Sequence, residues 1–464
     1  MIKFMISAPS SGSGKTAVTC GMLALLKRKG FSVGSLKCGP DYIDPMFHRS
    51  VLGIDSHNMD LFFMGRELAK KQYRKYTEAK DAMVIEGAMG FYDGLGGTTA
   101  EASAWDTAVC LDFPVILVVN ARGAGLSLAA QIKGISDFRM PSMIKGVILN
   151  RCSEMLFKTI SETLEKESGV PILGYLPEMK EAVIESRHLG LYTSGEIEDR
   201  EERISKIADM LEKSLNFERL LELCSFDSEE SGEAEEAEVK ENTDSAQVIA
   251  DKKVKIAVAS DEAFCFIYRE NIELLEESGA EIEYFSPIHD SALPVGVSAI
   301  YLPGGYPELF TKELSANHGM KADILSKLKS GMPLIAECGG FLYLSEKLRG
   351  DSEEEYSDMV GFLGGNAESK GRLTRFGYIE LESETDGMLL KKGEKIKAHE
   401  FHYWDTDANG NDMNAVKPIS GRSWKCAYNA DRIYAGFPHL YFLSCTEAAK
   451  RFIEEAEKYS GEIR

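Results

Sequence analysis

The sequence predicts an α/β fold with two units: an N-terminal doubly wound parallel sheet that carries a phosphate loop, and a second α/β unit. Two observations predict this class. Short apolar runs alternate with stretches of helical spacing, and this rhythm restarts once after an acidic segment. In addition, 464 residues are too many for one hydrophobic core, so two or three domains are expected.

The strands of the N-terminal half are predicted from short runs rich in β-branched residues. Each run is apolar throughout, which is typical of strands buried on both faces of a parallel sheet. Most of the runs lead into polar or glycine-containing turns, which favours a doubly wound arrangement. The six runs lie at residues 2–8, 32–38, 82–87, 114–120, 145–150 and 171–176.

The second half repeats this pattern and then changes character. Apolar residues at helical spacing predict a helix over 264–279, with Gly279 ending it. From about residue 358 onward the chain reads as antiparallel strands, followed by a closing helix around 445–459. The strands predicted before that point lie at 254–260, 281–286, 299–305 and 333–338.

An acidic segment separates the two halves. Residues 227–244 carry nine acidic side chains and one lysine, and almost no large apolar residue. Such a segment cannot bury enough surface to fold alone, so we predict a flexible linker. A charged surface helix is the alternative, because glutamate and alanine favour helices.

Composition excludes several classes of protein. The net charge of −21 argues against a nucleic-acid partner, and no run is long and apolar enough to span a membrane. The nine cysteines are scattered and odd in number, which argues against a disulfide framework or a zinc site and favours a cytoplasmic location. The apolar N-terminus leads directly into a phosphate loop, so it is read as a strand and not as a signal peptide.

A phosphate loop is predicted over residues 7–16, SAPSSGSGKT, between a strand and a helix. Backbone N–H groups of such a loop surround the phosphates of ATP, Lys15 contacts them, and the Thr16 hydroxyl binds Mg²⁺. Pro9 stands where the usual pattern has glycine, but the strand–loop–helix context compensates. The residues assigned to ATP binding are Gly12, Ser13, Gly14, Lys15 and Thr16.

Four carboxylates follow predicted strands of the same half, at the sheet edge where α/β proteins bind ligands. Their hard oxygens, together with phosphate oxygens, suit Mg²⁺. Taken singly, each aspartate is also an ordinary turn former or helix cap. Lys37 is expected to neutralise a phosphate or a substrate carboxylate. The four carboxylates are Asp41, Asp44, Glu86 and Asp93.

Cys338 lies in the stretch AECGGFLYL, where a predicted strand leads into two glycines and an apolar helix start. This pattern predicts a nucleophile elbow, in which the N-terminus of the following helix lowers the pKa of the thiol. Backbone N–H groups of Gly339 and Gly305 are candidates for an oxyanion hole. The alternative hypothesis is that Cys338 is an ordinary buried core cysteine.

These motifs, in this order, resemble the cobyrinate a,c-diamide synthase family. The N-terminal ones are SSGSGKT, KCGPDYIDPMFH, VIEGAMGFYDG, GVILNR and SRHLGL, and the C-terminal ones include LPGGYPELF, AECGGFLYL and HEFHY. The resemblance spans nearly the whole chain apart from the acidic segment. It implies a dethiobiotin-synthetase-like domain over 1–195, a helical and acidic linker over 196–252, and a class I glutamine amidotransferase domain over 253–464.

The resemblance also implies an activity. Glutamine supplies nitrogen and ATP activates a carboxylate, so that the a and c acetates of cobyrinate become amides in cobalamin biosynthesis. By matching position, the Mg-ATP site falls on Lys15, Thr16 and Glu86. The phosphorylated intermediate and a second metal are associated with Asp41, Asp44 and Asp93.

Other matching positions carry further expected roles. Asn150 corresponds to an adenine-contacting asparagine, whereas Arg187 and His188 contact the substrate or have a structural role. His439 matches the catalytic histidine that would act with Cys338, and His399 and His402 are its competitors. The usual glutamate two residues after the catalytic histidine is replaced by Tyr441, so the sequence does not show what orients the imidazole.

The sequence is also compatible with other functions. The same reaction on hydrogenobyrinate or nickel-sirohydrochlorin, in the coenzyme F430 pathway, uses the same motifs. A P-loop switch ATPase and a glutaminase subunit that serves a separate synthetase are more distant alternatives. The sequence allows a homodimer but does not determine the oligomeric state.

Overall fold

The computed structural model of this chain describes residues 1–179, 194–226 and 254–462. The chain divides into two units, Met1–Glu236 and Ala237–Arg464, and each is described by itself. Among the described residues, no helix is both long enough and apolar enough to cross a membrane. No disulfide forms among the nine cysteines, all of which lie in the described ranges.

The first unit is built on a seven-stranded parallel sheet in the order β3-β2-β4-β1-β5-β6-β7. Its strands are β1 Ile2–Ser7, β2 Val33–Cys38, β3 Asp55–Met59, β4 Ala82–Glu86, β5 Val115–Asn120, β6 Ile144–Asn150 and β7 Ile172–Leu176. Its helices are α1 Lys15–Arg28, α2 Ile43–Ser50, α3 Leu61–Thr77, α4 Ala104–Leu111, α5 Ser127–Asp137, α6 Glu154–Ser168, α7 Ser194–Ser214 and α8 Phe217–Cys224.

Strand β3 was not predicted, because its sequence DSHNM lacks an apolar run. Four of its five residues are nevertheless buried. The amide of Asn58 donates to the carbonyl oxygens of Gly39 and Asp41 at 2.9 and 2.8 Å. This polar strand therefore supports the loop that follows β2, which carries Asp41 and leads into α2, the helix that carries Asp44.

Helix α7 belongs to the core of the first unit. Ile204, Ile207 and Leu211 are fully buried in the same cluster as the apolar face of α1. The two helices approach closely at Gly21, where an added Cβ atom would lie 2.5 Å from the Ile207 side chain and 2.8 Å from that of Leu211. The domain boundary predicted at residue 195 therefore falls inside a helix that packs on this unit, and the described part of the predicted linker is not separate from it.

The second unit contains a six-stranded sheet in the order β10-β8-β11-β13-β23-β22, parallel except for β22, and a five-stranded antiparallel sheet in the order β21-β20-β17-β18-β24. A four-stranded sheet, β15-β14-β16-β19, and the pair β12-β9 complete the described strands. The strands are β8 Val254–Ala259, β9 Phe264–Phe266, β10 Ala280–Phe285, β11 Ala299–Leu302, β12 Gly304–Gly305, β13 Leu334–Glu337, β14 Lys347–Arg349, β15 Tyr356–Asp358, β16 Asn366–Ser369, β17 Arg375–Ser383, β18 Lys395–His402, β19 Trp404–Thr406, β20 Met413–Val416, β21 Ser423–Cys426, β22 Tyr428–Ala430, β23 Ile433–Gly436 and β24 His439–Leu440. The helices are α9 Arg269–Glu277, α10 Thr311–Ala316, α11 His318–Lys329, α12 Gly339–Tyr343 and α13 Thr446–Glu462.

The helix predicted over 264–279 is wrong at its start and confirmed at its end. Phe264–Phe266 form a short strand that pairs antiparallel with Gly304–Gly305, and helix α9 begins only at Arg269. Aromatic residues fit a strand well, and here the pairing partner decides between the two structures. Gly279 follows the helix with φ of +102°, a conformation that glycine adopts without strain.

We predict that Leu211→Ala destabilises the first unit, because the substitution removes fully buried contacts between α7 and α1. The expected loss in the free energy of unfolding is about 2–5 kcal/mol. Leu126→Ala is the matched control, since Leu126 is 63% exposed and its loss should cost less than about 0.5 kcal/mol. Hydrogen exchange of peptides from the first sheet, recorded at increasing urea concentrations, measures the free energy of unfolding of both variants. Equal effects of the two variants would contradict the placement of α7.

Candidate active sites

The predicted phosphate loop connects β1 to α1. Gly12 and Gly14 have φ of +76° and +96°, which other residues rarely adopt, and Lys15 is the first residue of the 14-residue helix. The unpaired N–H groups of this helix N-terminus face the loop, so it can hold an anion such as a phosphate. The structure therefore has the strand–loop–helix geometry that the sequence predicts.

Asn150, the last residue of β6, supports the phosphate loop from outside. Its side-chain amide donates to the carbonyl oxygen of Ser13 at 2.8 Å, and its side-chain oxygen accepts the N–H of Arg151 at 2.9 Å. A Cβ atom at Gly14 would lie 2.0 Å from the Asn150 amide nitrogen, so glycine is required there for this close contact. The contacts of Asn150 are thus with backbone, although the residue also lines the cavity described below.

Lys37 is the centre of an ion-pair cluster behind the loop. Its ammonium group donates to Glu86 at 2.9 Å and to Asp44, and it lies 3.8 Å from Asp41. The Thr16 hydroxyl donates to the same Glu86 oxygen at 2.7 Å. The structure therefore brings together four predicted site residues of this half around Lys37, which is itself paired with carboxylates.

Burial and mutual charge set the ionisation of this cluster. Burial alone would lower the pKa of Lys37, but Asp44, Glu86 and Asp41 together raise it well above its usual value. Burial likewise favours the protonated form of Asp44, yet the Lys37 charge outweighs it and brings the pKa down to about 2. Burial, followed by the charge of Asp44, raises the pKa of Glu86 to about 7. The positive charge of Lys37 is therefore not enough to offset the effects of burial and of Asp44 on Glu86.

A cavity of about 510 Å³ opens between the phosphate loop and this cluster, with Lys15, Thr16 and Glu86 in its wall. Among the described residues, the second carboxylate oxygen of Glu86 has no hydrogen-bond partner although it is buried. His48 lies 3.8 Å from it, and burial lowers the pKa of His48 to about 4, so this imidazole supplies no charge at neutral pH. A bound cation would satisfy the free oxygen.

Asp41 and Asp93 make the backbone contacts expected of aspartates that stabilise turns. Asp41 accepts the N–H of Ile43 at 2.9 Å, and Asp93 accepts that of Gly90 at 2.9 Å. Asp41 also lines the cavity, whereas Asp93 is exposed on its loop. Arg187 and His188 lie outside the described residues.

Cys338 occupies a strained turn between β13 and α12. Its φ of +44° and ψ of −102° are rare for any residue other than glycine, and its N–H donates to the carbonyl oxygen of Gly436 at 2.8 Å. A Cβ atom at Gly340 would lie 2.2 Å from the carbonyl oxygen of Leu302. The glycines after Cys338 therefore permit a sharp strand-to-helix turn, as in a nucleophile elbow.

The predicted lowering of the Cys338 thiol pKa is wrong for this structure. Burial raises it well above its usual value, and the nearby carboxylate of Glu308 adds to the effect. A hydrogen bond from the Gly339 N–H to the sulfur acts in the opposite direction but is weaker. Because α12 has only five residues, its dipole is small. The thiol therefore needs a base to lose its proton.

The two predicted oxyanion donors lie side by side. A Cβ atom at Gly339 would be 2.9 Å from the backbone nitrogen of Gly305, and Gly340 donates to the carbonyl oxygen of Pro303 at 3.0 Å. The loop that carries Gly305 therefore runs directly along the elbow. The backbone nitrogens of the two candidate donors therefore lie in adjoining segments, and their role as an oxyanion hole stays a prediction.

His439 is 2% exposed and lies on β24, against the same glycine loop. A Cβ atom at Gly304 would be 2.2 Å from the Cε1 atom of its ring. Asn271 of α9 holds the following segment, since its amide donates to the Leu440 carbonyl and its oxygen accepts the Phe442 N–H, each at 2.8 Å. Burial, and then the nearby His402, lower the pKa of His439 to about 3, so its imidazole is neutral and can accept a proton.

The competing histidines have other surroundings. His402 makes a 2.6 Å hydrogen bond with the carbonyl oxygen of Trp404 and stacks on Phe437 at 3.8 Å between ring centroids. His399 pairs with His439 in the register of β18 and β24. Burial, followed by the charge of His439, lowers the pKa of His399 to about 3. The Gly304 contact joins His439 to the loop that lines the elbow.

Glu337 is a residue that the sequence analysis did not select. It ends strand β13 immediately before Cys338, is 1% exposed, and its carboxylate lies 3.8 Å from Nδ1 of His439. The signal was present in the sequence as a glutamate that ends the otherwise apolar run PLIAE. A charged residue in such a position is unusual unless it is paired.

Comparisons with known proteins agree with this arrangement. Residues 4–191 match the family model of the CobQ/CobB/MinD/ParA nucleotide binding domain, and residues 255–446 match that of the CobB/CobQ-like glutamine amidotransferase domain. Two proteins named cobyrinate a,c-diamide synthase are each 37% identical to the chain. The protein from Caldanaerobacter subterraneus subsp. tengcongensis aligns over 98% of both chains, and that from Clostridium tetani over 98% of this chain and all of its own length.

Identity at this level over nearly the full length of both chains, with a matching domain in each unit, is enough to assign a family. We conclude that the chain belongs to the cobyrinate a,c-diamide synthase family of glutamine-hydrolysing, amide-forming ligases.

Proposed function

We propose that the chain converts the a and c acetate carboxylates of cobyrinate into amides in cobalamin biosynthesis, with glutamine as nitrogen donor and ATP as activating substrate. One observation carries this proposal: a phosphate loop and a nucleophile elbow are present on the same chain. A switch ATPase has no use for the elbow. The names of the full-length relatives support cobyrinate as the acceptor.

In the second unit, Cys338 and His439 would release ammonia from glutamine. The sulfur of Cys338 attacks the side-chain amide carbon, and the thiol proton passes to His439. The imidazolium then gives this proton to the departing nitrogen, which leaves as ammonia, and a thioester remains. Water hydrolyses the thioester to glutamate. The N–H groups of Gly305 and Gly339 would stabilise the oxyanion of the tetrahedral intermediates.

In the first unit, ATP would activate the acetate. A carboxylate at neutral pH is a poor electrophile, so its oxygen first attacks the γ-phosphorus and ADP leaves. Ammonia then attacks the acyl phosphate carbon and phosphate leaves, which produces the amide. The phosphate loop, Lys15 and the N-terminus of α1 would hold the nucleotide phosphates during both steps.

Mg²⁺ fits the cavity beside the phosphate loop. No three His, Cys, Asp or Glu side chains of the described residues form a ready metal cage. Mg²⁺ bound to a nucleotide, however, needs only one or two protein oxygens besides phosphates and water. The Thr16 hydroxyl and the free oxygen of Glu86 would supply them, with Asp41 nearby. The ion would neutralise charge on the phosphates.

The remaining residues are assigned to the acceptor and to the phosphorylated intermediate. We assign Asp41, Asp44 and Asp93 to the intermediate and a second cation, and Lys37 to holding Asp44 and Glu86 together. Asn150 would fix the loop below the nucleotide. The acceptor carries several carboxylates, and Arg187 and His188 are the proposed contacts for them.

Hydrogenobyrinate and nickel-sirohydrochlorin remain alternative acceptors, because they offer the same acetate chemistry. We expect the purified protein, given glutamine and Mg-ATP, to add two amide groups to cobyrinate faster than to either alternative. Mass spectrometry of the three parallel reactions measures this. Two amidations on a different ring would change the substrate but not the enzyme class. Glutamine and ATP turnover without amidation of any of the three would exclude a tetrapyrrole acceptor among those offered.

Replacement of Cys338 by alanine should separate the two sites. We expect glutamine-dependent amidation to fall at least about 10³-fold, because no other group can form the thioester. Amidation supported by ammonium salt should persist, since ammonia enters after the missing step.

Lys15→Ala is the matched variant for this test. It should reduce amidation with both nitrogen sources by about 10² or more, because a donor to the phosphates is lost. Mass spectrometry of the amide product measures the two variants, each with glutamine and with ammonium salt. Full glutamine-dependent amidation by Cys338→Ala would contradict the assignment of the nucleophile.

Glu86→Gln tests the cation site. The neutral amide keeps the shape of the side chain but removes the charge that faces the cavity. We expect the Mg²⁺ concentration for half-maximal amidation to rise by about 10-fold or more. Glutamine hydrolysis is measured on the same samples as a control for folding of the second unit. An unchanged Mg²⁺ dependence would show that Glu86 does not bind the ion.

A further inference from the structure

Glu337 is a deeply buried carboxylate that directly precedes the elbow cysteine. It is 1% exposed and belongs to the parallel strand β13, whose four residues are all buried. Placing a carboxylate in such a position costs stability unless nearby groups stabilise its charge. Leucine or isoleucine would fill a strand interior without this cost. The presence of a glutamate directly before Cys338 therefore points to a use in the site.

One carboxylate oxygen of Glu337 is anchored to the backbone. Oε1 accepts the N–H of Leu440 at 3.0 Å, and the carboxylate also accepts the hydroxyl of Tyr301. Leu440 directly follows His439, so the anchor connects the glutamate to the strand that carries the imidazole. These bonds fix the plane of the carboxylate.

The other oxygen faces the imidazole. Oε2 lies 3.8 Å from Nδ1 of His439, slightly longer than a hydrogen bond. Contacts of this kind are often long before substrate binds and shorten in the reacting complex. On another side, the ring packs closely against Gly304, because a Cβ atom there would be 2.2 Å from Cε1. The ring is thus held between the glycine loop and Glu337.

We propose that Glu337 is the positioning residue that orients His439, in place of the missing glutamate at position 441. This inference rests on the glutaminase activity proposed above for the second unit. The carboxylate accepts the Nδ1 proton of His439, which leaves Nε2 unprotonated and available for the proton of the Cys338 thiol. Glu337 takes up no proton during the cycle.

The charge balance is the reason for this arrangement. When the thiol proton reaches Nε2, the ring becomes an imidazolium inside a buried site, where charge is disfavoured. The adjacent carboxylate is its counter-charge, and the attraction between the two is strong because water is excluded. The proton then leaves with the amide nitrogen, and the ring becomes neutral again.

The pH dependence of the reaction offers a direct readout. Burial raises the pKa of Glu337 to about 8, so the carboxylate that accepts the Nδ1 proton becomes more populated as the pH rises. His399 and His402, which also face His439, have pKa values lowered by burial to about 3 and 4 and do not titrate near neutrality. Burial keeps the pKa of the Tyr301 hydroxyl well above that range.

Two other carboxylates act in the opposite direction. Burial raises the pKa of Glu308 to about 8 and that of Glu400 to about 7, and both charges raise the pKa of the Cys338 thiol. Their ionisation therefore makes the thiol a poorer proton donor to the base as the pH rises. A glutaminase rate that increases toward pH of about 8 is expected from Glu337 and not from these two groups.

The experiment compares wild type, Glu337→Gln, Glu337→Asp and His399→Asn in full-length protein. Glutamate release gives kcat and KM for glutamine, and hydrogen exchange of peptides from β8, β11 and β13 reports the folded state of the second unit. We expect Glu337→Gln to lower kcat by about 10² to 10³ with little change in KM, and to lose the rise toward alkaline pH. Glu337→Asp keeps the charge and should recover part of kcat, and His399→Asn should cost less than Glu337→Gln.

Each contrary result has a distinct meaning. A Glu337→Gln enzyme with wild-type kcat, or one changed only in KM, overturns the positioning role alone. A larger loss of kcat in His399→Asn than in Glu337→Gln does the same and transfers the role to the second histidine. A wild-type protein that releases no glutamate overturns the proposed glutaminase activity and this inference together.

Discussion

Parallel strand pairing is the constraint on which both sites depend. In the first unit, β1, β4 and β6 end in the phosphate loop, Glu86 and Asn150, and their register places these ends at one edge of the sheet. In the second unit, the parallel strands β11 and β13 end beside Gly304 and Cys338. Residues far apart in sequence meet because the strands run in the same direction.

Buried charge distinguishes these sites from the cores around them. Lys37 is stable in the interior because carboxylates surround it, and Glu86 keeps one oxygen unsatisfied. In the second unit, Glu337 and His439 form a comparable pair. Burial raises the pKa of Glu337 and lowers that of His439, so it favours the neutral form of each. Both arrangements cost stability that an apolar core would retain. Their common feature is a charge that becomes balanced only when a substrate, a cation or a transferred proton arrives.

The sequence predicted the apolar strands and the two reactive turns, because burial on both faces and adjacent glycines leave clear local patterns. It missed β3, whose polar side chains are buried only because neighbouring loops bond to them. It placed the first domain's end inside α7, since helical spacing does not show which core a helix joins. The sequence also could not predict that the pKa of Cys338 is raised, or that Glu337 lies next to His439, because both arise from tertiary burial.

Transfer of nitrogen from glutamine to the acceptor tests the proposed function most directly. Protein is supplied with glutamine labelled with ¹⁵N in its side-chain amide, Mg-ATP and cobyrinate, without ammonium salt, and the product is analysed by mass spectrometry. We expect both new amides to carry ¹⁵N and expect Cys338→Ala to form almost no amide under these conditions. Amides without the label, or labelled ammonia that accumulates while cobyrinate stays unchanged, would contradict the proposed function.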